Sequence, residues 1–195
     1  MSDLKRPSLS PDLFAPPHLI EELAAACSRF VLEKYQVALD GTSDTLSVLD
    51  HYIEMARPNI HQRPEAFELL EGAIGAYFGE VTRTTFGGYW FAIGDTSGWR
   101  LDLSAVYLTF NPIGVAREAL LCEHAAGWHA DFNIEEKEKA KLIERLASLG
   151  EIEETEYYRL SNRFDVLQII VDALHANRME AGLGQTFLTP NDYKK

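Results

Sequence analysis

Residues 89 to 110 change the hydrophobic period of the chain, and this change limits the possible folds more than any other feature. Apolar residues alternate with their neighbours at 89–93 and again at 99–103, with Gly94 to Gly98 between the two runs. Alternation with a period of two predicts β-strands, and the intervening residues are typical of a turn. The segment therefore predicts a hairpin with a five-residue turn.

A third strand is predicted at 106–110, after a link too short for a crossover connection, so that antiparallel pairing is the only practical topology. Three strands do not stand alone in water and need cover from helices. Trp90 and Trp99 flank the turn, and we expect both to be buried where the helices meet the hairpin.

Apolar residues recur at helical spacing on both sides of this sheet. The predicted helices run from His18 to Leu39, from Thr42 or Ser43 to Pro58, from Pro64 to Gly87, from Pro112 toward Gly127, from Ile134 to Leu149, and from about Glu151 to Gly182. Asn133 is predicted to cap the fifth helix. The class is α+β, with about six helices packed on a small three-stranded antiparallel sheet.

Three glycines, Gly72, Gly75 and Gly79, share one face of the third predicted helix. Each costs about 1 kcal/mol relative to alanine, so something should offset them. Close approach of another helix or of the sheet is one explanation. A groove for a ligand or for the backbone of a partner is the other.

The 195 residues suit one ordinary hydrophobic core. Prolines in residues 1–17 predict a flexible N-terminal arm, followed by a single domain over 18–183 and a tail over 184–195 that pairs loosely or is mobile. The segment 133–181 forms a C-terminal helical part of the domain. Cys27 and Cys122 fall in helical patterns and are expected to be free, although a disulfide is the alternative.

A net charge of −12 would repel a phosphate backbone, so nucleic acid is not expected as a partner. No segment has the roughly 20 apolar residues of a membrane helix or the apolar stretch of a signal peptide. We therefore expect a cytoplasmic protein that has no membrane partner.

A group of potential metal ligands, Cys122, His124, His129 and Asp131, falls within ten residues. The two histidines are five residues apart, which separates them by about 140° on a helix, and Gly127 is expected to break that helix. We therefore expect neither a metal ion nor any other cofactor.

Motifs of common hydrolases, nucleotide-binding proteins and zinc proteases are absent from the sequence. An enzyme is therefore the alternative hypothesis, with Glu80, His124, His129 and Asp131 dispersed in a cleft between helices and sheet. A deep pocket lined by at least two of these residues would favour chemistry, whereas a shallow acidic or aromatic patch would favour binding.

Acidic residues cluster on and between the last two predicted helices, and we call this cluster the acidic face. Its members are Glu135, Glu136, Glu138, Glu151, Glu153 and Glu154. Such a face would steer a basic protein partner. For any one of these glutamates taken alone, helix capping, solubility and an i,i+4 pair between Glu135 and Lys139 are the preferred explanation. The hypothesis is a protein-binding module of immunity, chaperone or accessory type, with Glu80 as a further contact.

Three segments carry a family resemblance: Leu39-Asp40 leading to Ser43–Asp50, then Gly75–Val81, then Gly87–Trp90. On these segments the chain resembles a widespread group of small bacterial proteins built around a domain of unknown function. The resemblance covers roughly residues 36–125 and implies helices, a short antiparallel sheet and another helix. Some members are immunity-like, which implies binding, and no catalytic residue or cofactor comes with the family.

Overall fold

The computed structural model describes residues 15–60, 62–148, 150, 153–182, 184 and 187–194. Within these residues the fold is α+β, as the sequence predicts, with α-helices covering one antiparallel sheet. The helices are α1 His18–Tyr35, α2 Leu46–Ile60, α3 Pro64–Phe86, α4 Pro112–Leu121, α5 Glu136–Ala147, α6 Glu154–Tyr157 and α7 Leu160–Glu180. The strands are β1 Gly88–Phe91, β2 Arg100–Leu103, β3 Leu108–Phe110 and β4 Asn133–Ile134.

The sheet has the strand order β1-β2-β3-β4, and every neighbouring pair is antiparallel. This confirms the predicted hairpin and third strand. The fourth strand corrects the prediction that Asn133 caps a helix, because Leu108 pairs with Ile134. Ile134 is buried, and α5 begins only at Glu136.

The connection between β1 and β2 is longer than the predicted five-residue turn. It runs over 92–99 and contains a 3-10 turn at Thr96–Gly98. Trp99 ends this connection with 5% of its surface exposed, and its indole N–H donates to the Gly94 carbonyl over 3.0 Å. Burial is therefore confirmed for Trp99, whereas Trp90 is only half-buried.

Two helix ends differ from their predicted positions. Helix α2 continues through Pro58 to Ile60, because a proline near the last turn leaves few hydrogen bonds to lose. Helix α4 ends at Leu121, well before Gly127, because Cys122 adopts the left-handed conformation with φ 56°.

The last predicted helix is divided into α6 and α7 by a cap from a distant helix. The buried carboxylate of Asp50 in α2 accepts hydrogen bonds from the backbone N–H groups of Leu160 and Ser161, at 2.6 and 3.2 Å. These contacts satisfy N–H groups that the first turn of α7 leaves without helical partners. Burial raises the pKa of Asp50, and the hydrogen bonds from α7 oppose that effect.

Helix α3 forms the centre of the core, and residues 71–79 are buried without interruption. A Cβ atom on Gly75 would lie 2.6 Å from the Cα of Ile113 in α4, and one on Gly79 would strike the ring of Trp90. Gly72 is different, since its nearest neighbour, the Leu23 side chain, would be 3.7 Å away. Close approach of α4 and of Trp90 therefore explains Gly75 and Gly79.

The C-terminal segment 187–194 lies against the sheet, in place of the loose or mobile tail that the sequence suggests. The Leu188 N–H donates to the Ser104 carbonyl over 2.7 Å. The buried Tyr193 hydroxyl accepts from the Leu108 N–H at 3.1 Å and lies 2.7 Å from the Leu103 carbonyl, to which it donates. Residues 1–14 of the predicted arm and Leu149 of the fifth predicted helix lie outside the described residues.

Across the described segments, none of the helices combines the length and the apolar character that crossing a membrane requires.

Substituting the glycines of α3 tests the close packing. Gly75→Ala should lower the free energy of unfolding by about 1 to 3 kcal/mol or more, because its methyl group overlaps the backbone of α4. Gly72→Ala is the matched control and should be neutral or stabilising by up to about 1 kcal/mol, because it has room and improves helix propensity. Urea unfolding of both variants is the measurement, and equal effects would contradict the packing.

Candidate functional site

A cleft of about 660 Å3 opens where β2 begins and β3 ends, and we call it the β2–β3 cleft. Its rings come from Trp99, Phe110 and Phe132, and its cationic side chains come from Arg100 and Lys139. The remaining lining is Gly98, Thr109, His129, Asp131 and Asn133. The cleft therefore combines aromatic surface with several polar groups, which is the usual make-up of a ligand site.

Asn111, which is fully buried, joins three segments around the cleft. Its side-chain oxygen caps α4 by accepting from the Ile113 N–H over 2.9 Å. Its side-chain amide donates to the carbonyls of Thr96 and Ser97, in the turn that leads to Trp99, at 2.9 and 3.1 Å. Its backbone N–H donates to the His129 carbonyl over 2.9 Å.

His129 occupies the left-handed backbone region, with φ 51°. This conformation is uncommon for a residue other than glycine and costs about 1 to 3 kcal/mol. The neighbouring backbone also passes unusually close to α4, since a Cβ atom on Gly114 would overlap the Trp128 carbonyl. The surrounding packing therefore holds His129 at the cleft in a conformation that it would not choose alone.

Arg100 is fixed to the sheet by a buried carboxylate. Its Nε donates to both oxygens of Asp102 at 3.1 Å, and the hydroxyl of Thr109 donates to Asp102 at 2.6 Å. The ring of Phe91 lies 4.2 Å from the guanidinium carbon. Burial raises the pKa of Asp102, and the contacts with Thr109 and Arg100 oppose that effect.

A buried arginine supports the opposite wall from behind. Arg163 has 1% of its side chain exposed, and its Nη2 donates to the Ala130 carbonyl over 2.6 Å. Its Nη1 lies 3.4 Å from the buried carboxylate of Glu118, and its guanidinium lies over the Phe132 ring at 5.1 Å. The cleft segment around Phe132 is therefore anchored to α7 and α4.

The residues of the enzyme hypothesis separate into two groups. His129 and Asp131 line the β2–β3 cleft, so the structure brings this pair to one site. Glu80 lies elsewhere, where it accepts from Arg83 at 2.8 Å and from the Trp90 indole at 2.7 Å. His124 is held by Glu118, with its Nδ1 2.8 Å from the carboxylate.

The potential metal ligands do not converge in the described parts of the chain, where no group of three or more His, Cys, Asp or Glu side chains is placed to hold a metal ion. Both cysteines are free. Burial raises the pKa of the Cys27 thiol to about 12, so this thiol is neutral at physiological pH.

The acidic face is partly neutralised by its own helix. Glu135 pairs with Lys137 at 2.9 Å, and Glu136 pairs with Lys139 at 2.6 Å in place of the predicted Glu135–Lys139 pair. Glu138 accepts from the Asn177 side chain over 2.8 Å. Glu153 and Glu154 are exposed, and Glu151 lies outside the described residues.

Comparison with known proteins finds no match, whether among protein-family models, curated proteins or solved structures. The resemblance to small bacterial proteins with a domain of unknown function therefore stays a prediction. The function of the site has to be argued from its own geometry.

Sequence reasoning missed Arg100, Lys139 and Phe132 as site residues. One signal for Arg100 was present, because residues two apart on a strand share a face, so Arg100 and Asp102 were placed to pair. Nothing local indicates that Lys139 and Phe132 meet the end of the sheet, because the fourth strand brings them there.

Removing the side chain of Asn111 tests whether it organises the cleft. Asn111→Ala should lower the free energy of unfolding by about 2 to 4 kcal/mol, because it removes a helix cap and leaves buried backbone groups without partners. Asn111→Ser keeps a capping oxygen without the amide donors and should cost less. Chemical denaturation measures both values, and a loss below about 0.5 kcal/mol for alanine would contradict this role.

Proposed function

We propose that this protein is a binding protein that holds a small ligand in the β2–β3 cleft without transforming it. The cleft itself is the observation that carries the proposal. Ligand sites occupy about 300 to 1,000 Å3 and combine apolar rings with a few converging polar groups. The volume of about 660 Å3 and the lining of the cleft meet both conditions.

Buried polar contacts support a site that is formed before the ligand arrives. Asn111 fixes the turn and His129, Asp102 fixes Arg100, and Arg163 fixes the Phe132 segment. A preorganised site binds more tightly, because less side-chain freedom is lost on association.

Two of the four acid and base candidates line the cleft, which is the arrangement that would favour chemistry, but the contacts of all four favour binding. Glu80 is committed to its ion pair with Arg83 and His124 to its hydrogen bond with Glu118, and neither residue lines the cleft. His129 and Asp131 remain in it, but neither side chain makes a hydrogen bond to any described residue. A catalytic base is commonly oriented by a hydrogen bond to a second side chain, and neither His129 nor Asp131 has such a partner among the described residues.

A protein partner on the acidic face is the second candidate function. Glu153 and Glu154 are exposed, and neither side chain makes a hydrogen bond or ion pair with the part of the chain that the structure describes. Ile143 on α5 and Met179 on α7 are 66% and 62% exposed. Exposed apolar side chains and unpaired carboxylates in the same C-terminal helical part favour a partner that is apolar at its centre and basic at its rim.

Ligand binding in the cleft can be measured through the tryptophan side chains. A library of small aromatic fragments of different charge is titrated into the 15N-labelled protein, and the indole N–H signals of Trp90, Trp99 and Trp128 are followed. Only Trp99 lines the cleft, so binding fragments should shift its signal most. Phe132→Ala should lower the affinity for these fragments about tenfold, because the contact with the ring is lost.

Two outcomes would contradict this function. If no fragment shifts the Trp99 signal, or if shifts occur at Trp90 and Trp128 instead, the cleft is not a ligand site. If a bound fragment is chemically converted, and His129→Asn abolishes conversion while retaining binding, the enzyme alternative replaces the binding protein. Asparagine is chosen because it accepts the left-handed conformation of residue 129.

The acidic face is tested by capture of proteins from the native host. Glu153→Gln with Glu154→Gln should reduce the capture of a basic partner and flatten its dependence on salt, because rim charges steer association. Glu65→Gln with Glu68→Gln is the matched control, since it removes two exposed carboxylates from α3. If the captured proteins and the salt dependence are unchanged, the acidic face is not a binding surface for a protein partner.

A further inference from the structure

Resting on the proposed function, we infer that the β2–β3 cleft selects organic anions that carry a planar ring. The carboxylate or phosphate of such a ligand faces Arg100 and Lys139, and its ring lies on Phe132. This assigns a charge, a shape and two recognition residues to a ligand that the proposed function leaves open.

The lining of the cleft carries more cations than carboxylates, whereas the whole chain is acidic. Aspartate and glutamate outnumber lysine and arginine by 30 to 18 in the sequence. Arg100 and Lys139 line the cleft with one carboxylate, Asp131, while the carboxylates that pair with these two cations, Asp102 and Glu136, are not part of the lining. A cation that lines a concave surface concentrates its field within it, so the lining favours an anion.

Arg100 presents a fork of unused donors. Only its Nε is bonded to Asp102, and its two Nη groups have no hydrogen-bond partner among the described residues. The side chain is 32% exposed and lines the cleft. A planar guanidinium held at one edge suits bidentate contact with a carboxylate or phosphate, and little further freedom is lost on binding.

Lys139 is available because its present partner is weak. It pairs at 2.6 Å with Glu136, whose side chain is almost completely exposed. Exposed ion pairs of this kind contribute little free energy. A bound anion in the cleft can therefore compete with Glu136 for the ammonium group. Lys137 offers a comparison on the same helix, because it also pairs with a glutamate but does not line this cleft.

Phe132 provides a fixed surface for a ring. Phe110 meets it in a T-shaped arrangement, with ring centroids 5.0 Å apart, and the guanidinium of Arg163 lies over one of its faces at 5.1 Å. The ring is only half-buried, so part of it faces the cleft. Offset stacking of a planar ligand on such a surface adds to the attraction between the charges.

Four ring compounds of similar size separate charge from shape. Benzoate is anionic, benzamide is its neutral analogue, benzamidinium is its cationic analogue, and phenyl phosphate tests the second kind of anion. Titrations follow the Trp99 indole signal. Benzoate or phenyl phosphate should bind about tenfold more tightly than benzamide, benzamidinium should bind most weakly, and salt should weaken only the anions.

Variants assign the preference to the two cations. Arg100→Gln should lower the affinity for benzoate about tenfold, and Lys139→Gln should lower it about threefold. The affinity for benzamide should change little. Lys137→Gln makes the same change in charge on the same helix and should have no effect. Because Arg100→Gln leaves Asp102 buried without its cation, Arg100→Gln with Asp102→Asn provides a second version in which no charge is stranded.

The results separate this inference from the function beneath it. If benzamide and benzamidinium shift the Trp99 signal at concentrations as low as benzoate does, the ligand site stands and the preference for anions is wrong. The same conclusion follows if Lys137→Gln weakens benzoate as much as Lys139→Gln. If none of the four compounds and no fragment of the library binds the cleft, both the inference and the proposed function fail.

Discussion

The buried guanidinium of Arg163 is the interaction on which the C-terminal half of the structure depends. It links α7 to Glu118 of α4 and to the Ala130 carbonyl. A charge in the interior of a protein is costly unless it is paired, and stranding one partner of such a pair costs about 3 to 5 kcal/mol. The segment before β4 is therefore held by α7 and α4 at once. This makes the wall of the cleft that contains Phe132 rigid.

Other buried polar groups act in the same way at different depths of the fold. Asp50 begins α7 from a neighbouring helix, Asn111 gathers three segments, and Asp102 holds Arg100 at the edge of the sheet. Apolar packing accounts for compactness but has little directional preference, whereas hydrogen bonds specify direction and distance. These groups explain how a sheet with strands of two to four residues supports a defined cleft.

Local patterns in the sequence predict the elements well and the site poorly. The hairpin, the Asn111 cap and helix α3 each follow from a period or a cap within a few residues. The division between α6 and α7 depends on Asp50, about 110 positions away along the chain, so no local signal shows it. The sequence indicates the contact between Arg163 and Glu118 only weakly: each residue lies within an apolar helical stripe, where a buried charge needs an opposite partner.

The hydrogen bonds of Tyr193 can form only after this residue has been synthesised. Its hydroxyl serves the Leu103 carbonyl and the Leu108 N–H, on either side of the link between β2 and β3. A ribosome makes this link about 85 residues before it makes the tyrosine. The nascent sheet therefore lacks these two hydrogen bonds until helices α1 to α7 have been made. The link between its second and third strands is completed by a residue that is added about 85 positions later.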